Sequence, residues 1–159
     1  MIRKDVGIGE YYVSTRPDEL IKTYALGSCV AVLMYDKANK VAGMIHIALP
    51  DSEVNPKKAQ TRPGFFADTG LPLFLQEMKK KGAVRTSTWI KLAGGASIMD
   101  EKNTFDIGRR NAIAIKRYLW KRGLGVIKED IGGKISRTVS IEIATGEVSI
   151  SNSKESWKL

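Results

Sequence analysis

Cys29-Val30-Ala31-Val32-Leu33-Met34-Tyr35, then Asp36-Lys37-Ala38-Asn39-Lys40, then Val41-Ala42-Gly43-Met44-Ile45-His46-Ile47-Ala48-Leu49 is the stretch on which the fold turns. Two apolar runs flank five polar residues, the signature of a β-hairpin. Alternation along the second run sets Ala42, Met44, His46 and Ala48 on one face and Gly43, Ile45, Ile47 and Leu49 on the other. Neither face is polar, so the hairpin is expected in the middle of a sheet, covered on both sides. His46 is then the one polar side chain on its face. A buried imidazole without a hydrogen-bond partner costs about 1–3 kcal/mol, so it requires one.

Outward from the hairpin, Tyr11 to Thr15 reads as a short strand before a turn at Arg16-Pro17-Asp18, and Leu20 to Leu26 leads into Gly27-Ser28. Pro50 to Ala67 shows no periodicity and reads as a long loop, either a lid or binding loop or a floppy connector, a choice its length leaves open. Asp68 to Lys81 reads as a helix. Asp68 or Thr69 caps it, Pro72 falls in its first turn, and Leu71, Phe74, Leu75 and Met78 form its core-facing stripe. Thr88 to Ala93 and Gly125 to Asp130 read as strands, and Thr138 to Ile143 with Glu147 to Ile150 as a hairpin across Thr145-Gly146. Between them, Thr104 to Gly123 holds a second helix, buried along Ala112, Ile115 and Leu119 and solvated along Arg109, Arg110, Lys116, Arg117 and Lys121. Two helices and about eight strands make an α+β layered sandwich with a mixed, largely antiparallel sheet. Residues 1–150 form the single domain, and residues 151–159 a polar tail with Trp157 as its anchor.

The chain has 159 residues, 43% of them apolar and 27% charged, as in an ordinary soluble globular domain. Its one cysteine excludes an internal disulfide and clustered-cysteine zinc or iron–sulfur sites. Met1 to Gly9 does not resemble a signal peptide, and the run from Cys29 to Tyr35 is too short to span a bilayer, so the reading is cytoplasmic with no membrane insertion. A net charge of +9 comes without a helix-turn-helix, RNP-like or zinc-finger pattern, which argues against specific nucleic-acid binding and for steering toward an acidic protein surface. Gly94-Gly95 and Gly132-Gly133 match no phosphate-loop fingerprint. No cofactor or metal is expected from one histidine and no carboxylate cluster near it.

The chemistry-bearing residues are Cys29 and His46, the one cysteine and the one histidine, seventeen positions apart. A thiol needs a base to become a nucleophile at neutral pH, and imidazole is the usual one. A third group holds such an imidazole in the useful tautomer. Thr23, six residues before Cys29, can do so if the chain folds back at Gly27. Gly27 and Ser28 permit close substrate approach, and the Cys29 N–H with a neighbour's can form an oxyanion hole. The residues alone leave a second reading open, in which Cys29 is a small buried hydrophobe and His46 a satisfied core residue.

The same segments resemble the CheD family of chemoreceptor glutamine deamidases over nearly the whole chain. The resemblance rests on Val6-Gly7-Ile8-Gly9-Glu10-Tyr11, on Thr23 with Leu26-Gly27-Ser28-Cys29-Val30-Ala31-Val32, and on Ala42-Gly43-Met44-Ile45-His46 with Leu49-Pro50. It continues through Phe66-Ala67-Asp68-Thr69, Lys91-Leu92-Ala93-Gly94-Gly95-Ala96, Ile107-Gly108-Arg109-Arg110-Asn111, and Asp130-Ile131-Gly132-Gly133 with Arg137. It implies an α-β-β layered sandwich, shared with a bacterial cytotoxin deamidase. It also implies a Cys-His-Thr set: Cys29 as nucleophile, His46 as base and then acid, Thr23 as orienter. The implied reaction is hydrolysis of selected glutamine amides to glutamate, through a thioester, on the cytoplasmic domain of methyl-accepting chemotaxis receptors. The implied partner is the CheC phosphatase, and the alternative function is an adaptor for that phosphatase with little catalysis. One departure stands out: Ile98 separates Ser97 from Met99, where the family usually places Met directly.

Overall fold

A computed structural model describes residues 1–98 and 105–159. In chain order the elements are β1 (Ile2–Asp5), β2 (Tyr11–Ser14), β3 (Glu19–Leu26), β4 (Val30–Asp36), β5 (Val41–Ile47), α1 (Pro56–Thr61), α2 (Ala67–Lys80), β6 (Thr88–Gly94), α3 (Ile107–Trp120), β7 (Lys128–Ile131), β8 (Arg137–Glu142), β9 (Val148–Ser151) and β10 (Ser156–Lys158). The strands form two five-stranded sheets, ordered β1-β3-β8-β9-β10 and β2-β5-β4-β6-β7. The β1/β3 and β6/β7 pairs are parallel and the rest antiparallel. This is the mixed, largely antiparallel α+β sandwich expected from the sequence.

The β4–β5 hairpin lies at the heart of the second sheet, and every residue of both strands is buried. Its two faces serve two cores. Val32, Met34, Val41, Ile45 and Ile47 face Leu71, Phe74, Met78, Ile115 and Leu119 of α2 and α3. Ala31, Leu33, Tyr35, Ala42 and Met44 face Ile21, Leu26, Val139, Ile141, Val148 and Ile150 of the other sheet. The layers are therefore helix, sheet, sheet. Gly43 sets the closeness of the first contact, because a Cβ there would stand 2.6 Å from Met78 Sδ and 2.8 Å from Phe74 Cε1. Each large side chain buried in these cores contributes about 1.5–3 kcal/mol.

The two sheets are also tied by polar groups. Glu19 of β3, 1% exposed, accepts from Tyr12 Oη at 3.0 Å and from Ser14 Oγ, both on β2. Arg137 of β8 donates to Asp130 at 2.8 Å and to the Gly94 and Gly132 carbonyls at 3.2 and 2.9 Å, and Trp157 Nε1 donates to Asp130 at 2.6 Å.

Several local expectations are corrected. The stretch from Pro50 to Ala67 is not a structureless loop: it folds as a 3-10 turn at Ser52–Val54, then α1, then a second 3-10 turn at Pro63–Phe65. Asn55 caps α1 by accepting from Lys58 N–H, with Pro56 at the first helical position. Helix α2 starts at Ala67, one residue earlier than expected, with Phe66 at its N-cap and no side-chain cap. Asp68 instead accepts from Ser52 N–H and Oγ at 3.0 and 2.6 Å, and Thr69 Oγ1 donates to the Pro63 carbonyl at 2.6 Å. The earlier start moves Pro72 into the second turn, where one backbone bond is forgone. Residues 156–158, expected within a polar tail, form β10 on the edge of the first sheet. Strand β1 is an addition that the sequence reading lacked.

Candidate active site

Cys29, His46 and Thr23 converge where the two sheets face each other. Register pairs Ala31 of β4 with His46 of β5, and Cys29 stands two residues before Ala31. Alternation puts Cys29 on the same side as Ala31 and His46, as diagonal neighbours within side-chain reach. Cys29 packs against the core between the sheets while keeping partial exposure. Thr23 reaches in from β3 in the opposite sheet and is 1% exposed.

The hydrogen bonds around Thr23 decide the state of His46. Thr23 Oγ1 lies 2.6 Å from the Val6 carbonyl oxygen and 2.7 Å from His46 Nδ1. A carbonyl can only accept, so the hydroxyl donates its one proton to Val6. Toward His46 the hydroxyl must therefore accept, which places the imidazole proton on Nδ1. In the neutral ring Nε2 is then the basic nitrogen. It is buried and has no hydrogen-bond partner among the described residues. The His46 backbone is pinned as well: Gly9 N–H donates to its carbonyl at 2.8 Å, and its own N–H donates to the Glu10 carbonyl at 3.1 Å.

The electrostatics favour a neutral pair. Burial pulls His46 down from its ordinary value to about 4, only partly opposed by the Val6 carbonyl and the Glu10 carboxylate. Burial likewise pushes the Cys29 thiol up, against the favourable pull of its own backbone N–H. A thiol beside an unprotonated imidazole suits proton transfer during attack, rather than a standing thiolate–imidazolium pair.

The backbone from Gly27 to Cys29 is held from behind at each carbonyl. Ala96 N–H donates to Gly27 O at 2.8 Å, Asn111 Nδ2 to Ser28 O at 2.9 Å, and Gly95 N–H to Cys29 O at 2.8 Å. Gly94 adopts φ +117°, and a Cβ there would stand 2.3 Å from the Cys29 carbonyl oxygen. That conformation and that contact both require glycine. A cleft of about 310 Å³ opens beside Gly27 and Ser28, walled by Ala96, Ser97, Ile98, Phe105, Ile107 and Gly108. The walls of this cleft are mostly apolar, and Gly27 and Ser28, which line it, directly precede Cys29 in the chain. Met99, which marks the departure noted in the sequence, and Thr104 lie outside the described residues.

Thr23, Cys29, His46, Gly27 and Ser28, singled out from the sequence, occupy this one locality. Two contributors escaped that reading. The Val6 carbonyl acts through the backbone, which leaves no residue-type signal. Asn111 sits fully buried on α3 beside Ala112, Ile115 and Leu119. A carboxamide in an apolar stripe was its available signal. Among the described residues no group of three or more His, Cys, Asp and Glu could hold a metal ion, and no helix is long and apolar enough to cross a membrane.

Residues 48–152 match the family model described as CheD chemotactic sensory transduction, a match that begins two residues after His46. Similarity to whole relatives extends over the N-terminal part too. The chain is 50% identical over 148 residues to the probable chemoreceptor glutamine deamidase CheD of Syntrophotalea carbinolica, covering 92% of this chain and 91% of that one. It is 44% identical to the probable chemoreceptor glutamine deamidase CheD 1 of Syntrophus aciditrophicus, over 93% and 92% of the two chains. It is 42% identical to the chemoreceptor glutamine deamidase CheD of Thermotoga maritima, over 92% and 90%.

Proposed function

The chain belongs to the CheD family, and from that premise we propose that it hydrolyses glutamine side-chain amides of chemotaxis receptors to glutamate, with Cys29 as nucleophile, His46 as general base and acid, and Thr23 as the group that orients His46. The observation that carries the mechanism is the Val6–Thr23–His46 chain of hydrogen bonds, which leaves His46 Nε2 as a free base on the side of the sheet that Cys29 occupies.

Each step follows from that arrangement. His46 Nε2 takes the thiol proton as Cys29 Sγ forms a bond to the amide carbon of the glutamine. The carbonyl oxygen becomes an oxyanion facing the Cys29 N–H. The imidazolium, its Nδ1–H held by Thr23, gives its proton to the leaving nitrogen. The C–N bond breaks, ammonia departs and a thioester remains. A water molecule then attacks the thioester carbon while His46 Nε2 accepts one of its protons. The C–S bond breaks, the proton returns to the thiolate, and glutamate is released. No oxidant, metal or cofactor enters this balance.

The apolar-walled cleft beside Gly27 and Ser28 supports a protein substrate, because a glutamine on a folded receptor arrives with its neighbours. Incubation with a receptor cytoplasmic fragment, followed by mass spectrometry of tryptic peptides, tests the reading. Gln-to-Glu conversion is expected with the wild type and absent with Cys29→Ala. The same variant separates enzyme from adaptor. Full chemotaxis with Cys29→Ala would favour an adaptor of the CheC phosphatase, and peptide-bond cleavage without deamidation would point to a peptidase.

A further inference from the structure

Asn111 makes two bonds that connect the elements of the site. Its Nδ2 donates one hydrogen to Ser28 O at 2.9 Å and the other to Ala48 O at 3.0 Å. Both partners are carbonyls, so the amide can only sit with its nitrogen toward them. Ser28 precedes the nucleophile Cys29, and Ala48 lies two residues beyond His46. One side chain from α3 therefore grips both the start of β4 and the end of β5. Its own Oδ1 is buried without a partner among the described residues. A lost bond of this kind costs about 1–3 kcal/mol, and it is tolerated here where an apolar residue would fill the same space.

The Ser28 contact has a direct chemical consequence. In a trans peptide the C=O of one residue and the N–H of the next point in opposite directions. Asn111 draws the Ser28 carbonyl inward toward α3, so the Cys29 N–H is turned outward. As the residue's own amide, that N–H stands beside the Cys29 side chain, where a substrate carbonyl must sit for the sulfur to attack. With Gly27 O and Cys29 O held by Ala96 and Gly95, the Ser28–Cys29 peptide is the remaining plane, and Asn111 is the group that sets it.

We propose that Asn111 is a positioning residue for acyl chemistry at Cys29: by holding the Ser28 carbonyl it aims the Cys29 N–H at the developing oxyanion. The proposal rests on Cys29 being the nucleophile, not on the identity of the receptor substrate. Two small reagents separate its parts. Acylation of Cys29 by p-nitrophenyl acetate forms a C–S bond, passes through an oxyanion and expels p-nitrophenolate. Alkylation by iodoacetamide forms a C–S bond, expels iodide and builds no oxyanion.

In Asn111→Leu and Asn111→Ala, acylation should slow by about 100-fold while alkylation stays within about threefold of wild type. Equal slowing of both reactions would reduce Asn111 to a structural role and overturn the proposal, as would unchanged acylation. If both variants fail to fold, the wild type still decides by hydrogen exchange. An outward-facing Cys29 amide should exchange at least about tenfold faster than the amides of residues 31–35 in the same strand, and equal protection overturns the proposal. None of these readouts uses a receptor, so absence of receptor deamidation would sink the substrate reading and leave this one standing.

Discussion

Thr23 and His46 meet at 2.7 Å across the divide between the two sheets, and the threonine proton is already committed to the Val6 carbonyl at 2.6 Å. The basic nitrogen of His46 is thereby set at Nε2 by a residue that is itself 1% exposed. Thr23→Val keeps the shape and removes the hydroxyl. It should lower the deamidation rate by roughly 100-fold, less than the loss on removing Cys29 or His46, and destabilise the fold by about 1–3 kcal/mol through the orphaned groups. Thr23→Ser, which restores the hydroxyl, should recover most of the rate. Steady-state rates and thermal melts check both statements, and a valine variant as active as wild type would remove Thr23 from the mechanism.

The neutral resting pair has its own signature. With the thiol pushed up by burial and His46 pulled down to about 4, the alkylation rate of Cys29 should climb with pH through and beyond the ordinary cysteine range near about 8.5. A plateau of reactivity from about pH 5 upward would instead reveal a standing thiolate–imidazolium pair, and would contradict this description.

His46 also links stability to pH. The unfolded chain takes a proton on this imidazole near about 6.5, and the native state refuses it until about 4. Between these values the unfolded state binds more protons, so stability falls as pH falls through that window, by up to about 3 kcal/mol in all. Denaturant unfolding of wild type against His46→Gln across the window isolates this contribution. The two slopes should differ, with the shallower one in the variant.

Asp36, at the end of β4, is a second load point in the fold. Burial works against its ionisation, yet bonds from Ser87 Oγ at 2.6 Å, Asn39 Nδ2 at 2.8 Å and Val84 N–H at 2.7 Å outweigh it and hold the carboxyl well below the usual carboxylate range. The same carboxylate accepts from Ala38 and Asn39 N–H at 3.0 and 3.1 Å. Asp36→Ala should cost about 1–3 kcal/mol, because several part-buried donors lose their acceptor at once. The site lies at the other end of β4, so kcat of the folded fraction should be unchanged.

Gly94→Ala should damage both stability and rate. The added methyl would meet the Cys29 carbonyl oxygen at 2.3 Å on a residue already at φ +117°. A cost of about 1–3 kcal/mol from the backbone conformation alone is expected, together with displacement of Cys29. A variant with native melting temperature and native rate would show that the loop yields freely.

The sequence made the β4–β5 hairpin readable because both its faces are apolar, and the isolation of His46 within that pattern marked it as needing a partner. Helix α2 and the β8–β9 hairpin were readable for the same reason, a clear period. Strand β1 was not: Ile2-Arg3-Lys4-Asp5 is mostly exposed and its pairing with β3 is a backbone matter. Helix α1 was hidden because its six residues bury nothing, which leaves no stripe to detect. Thr23 entered firmly only with the family resemblance, since nothing in a β-strand sequence states which neighbour lies across a sandwich. Asn111 and Val6 lay within the segments of the resemblance but were not singled out, for a related reason: their importance lies in what long-range folding sets beside them.

The proposed base and nucleophile, His46 and Cys29, belong to one sheet and the proposed orienting hydroxyl of Thr23 to the other, so the site is assembled only while the two sheets keep their mutual alignment. An ångström of slip between them would break the Thr23–His46 bond before any strand unpaired. Turnover is therefore a finer gauge of that alignment than any melting curve. Substitutions among Leu33, Met44, Ile141 and Val148, none of them in the site, should surface first as slow enzymes and only later as unstable ones.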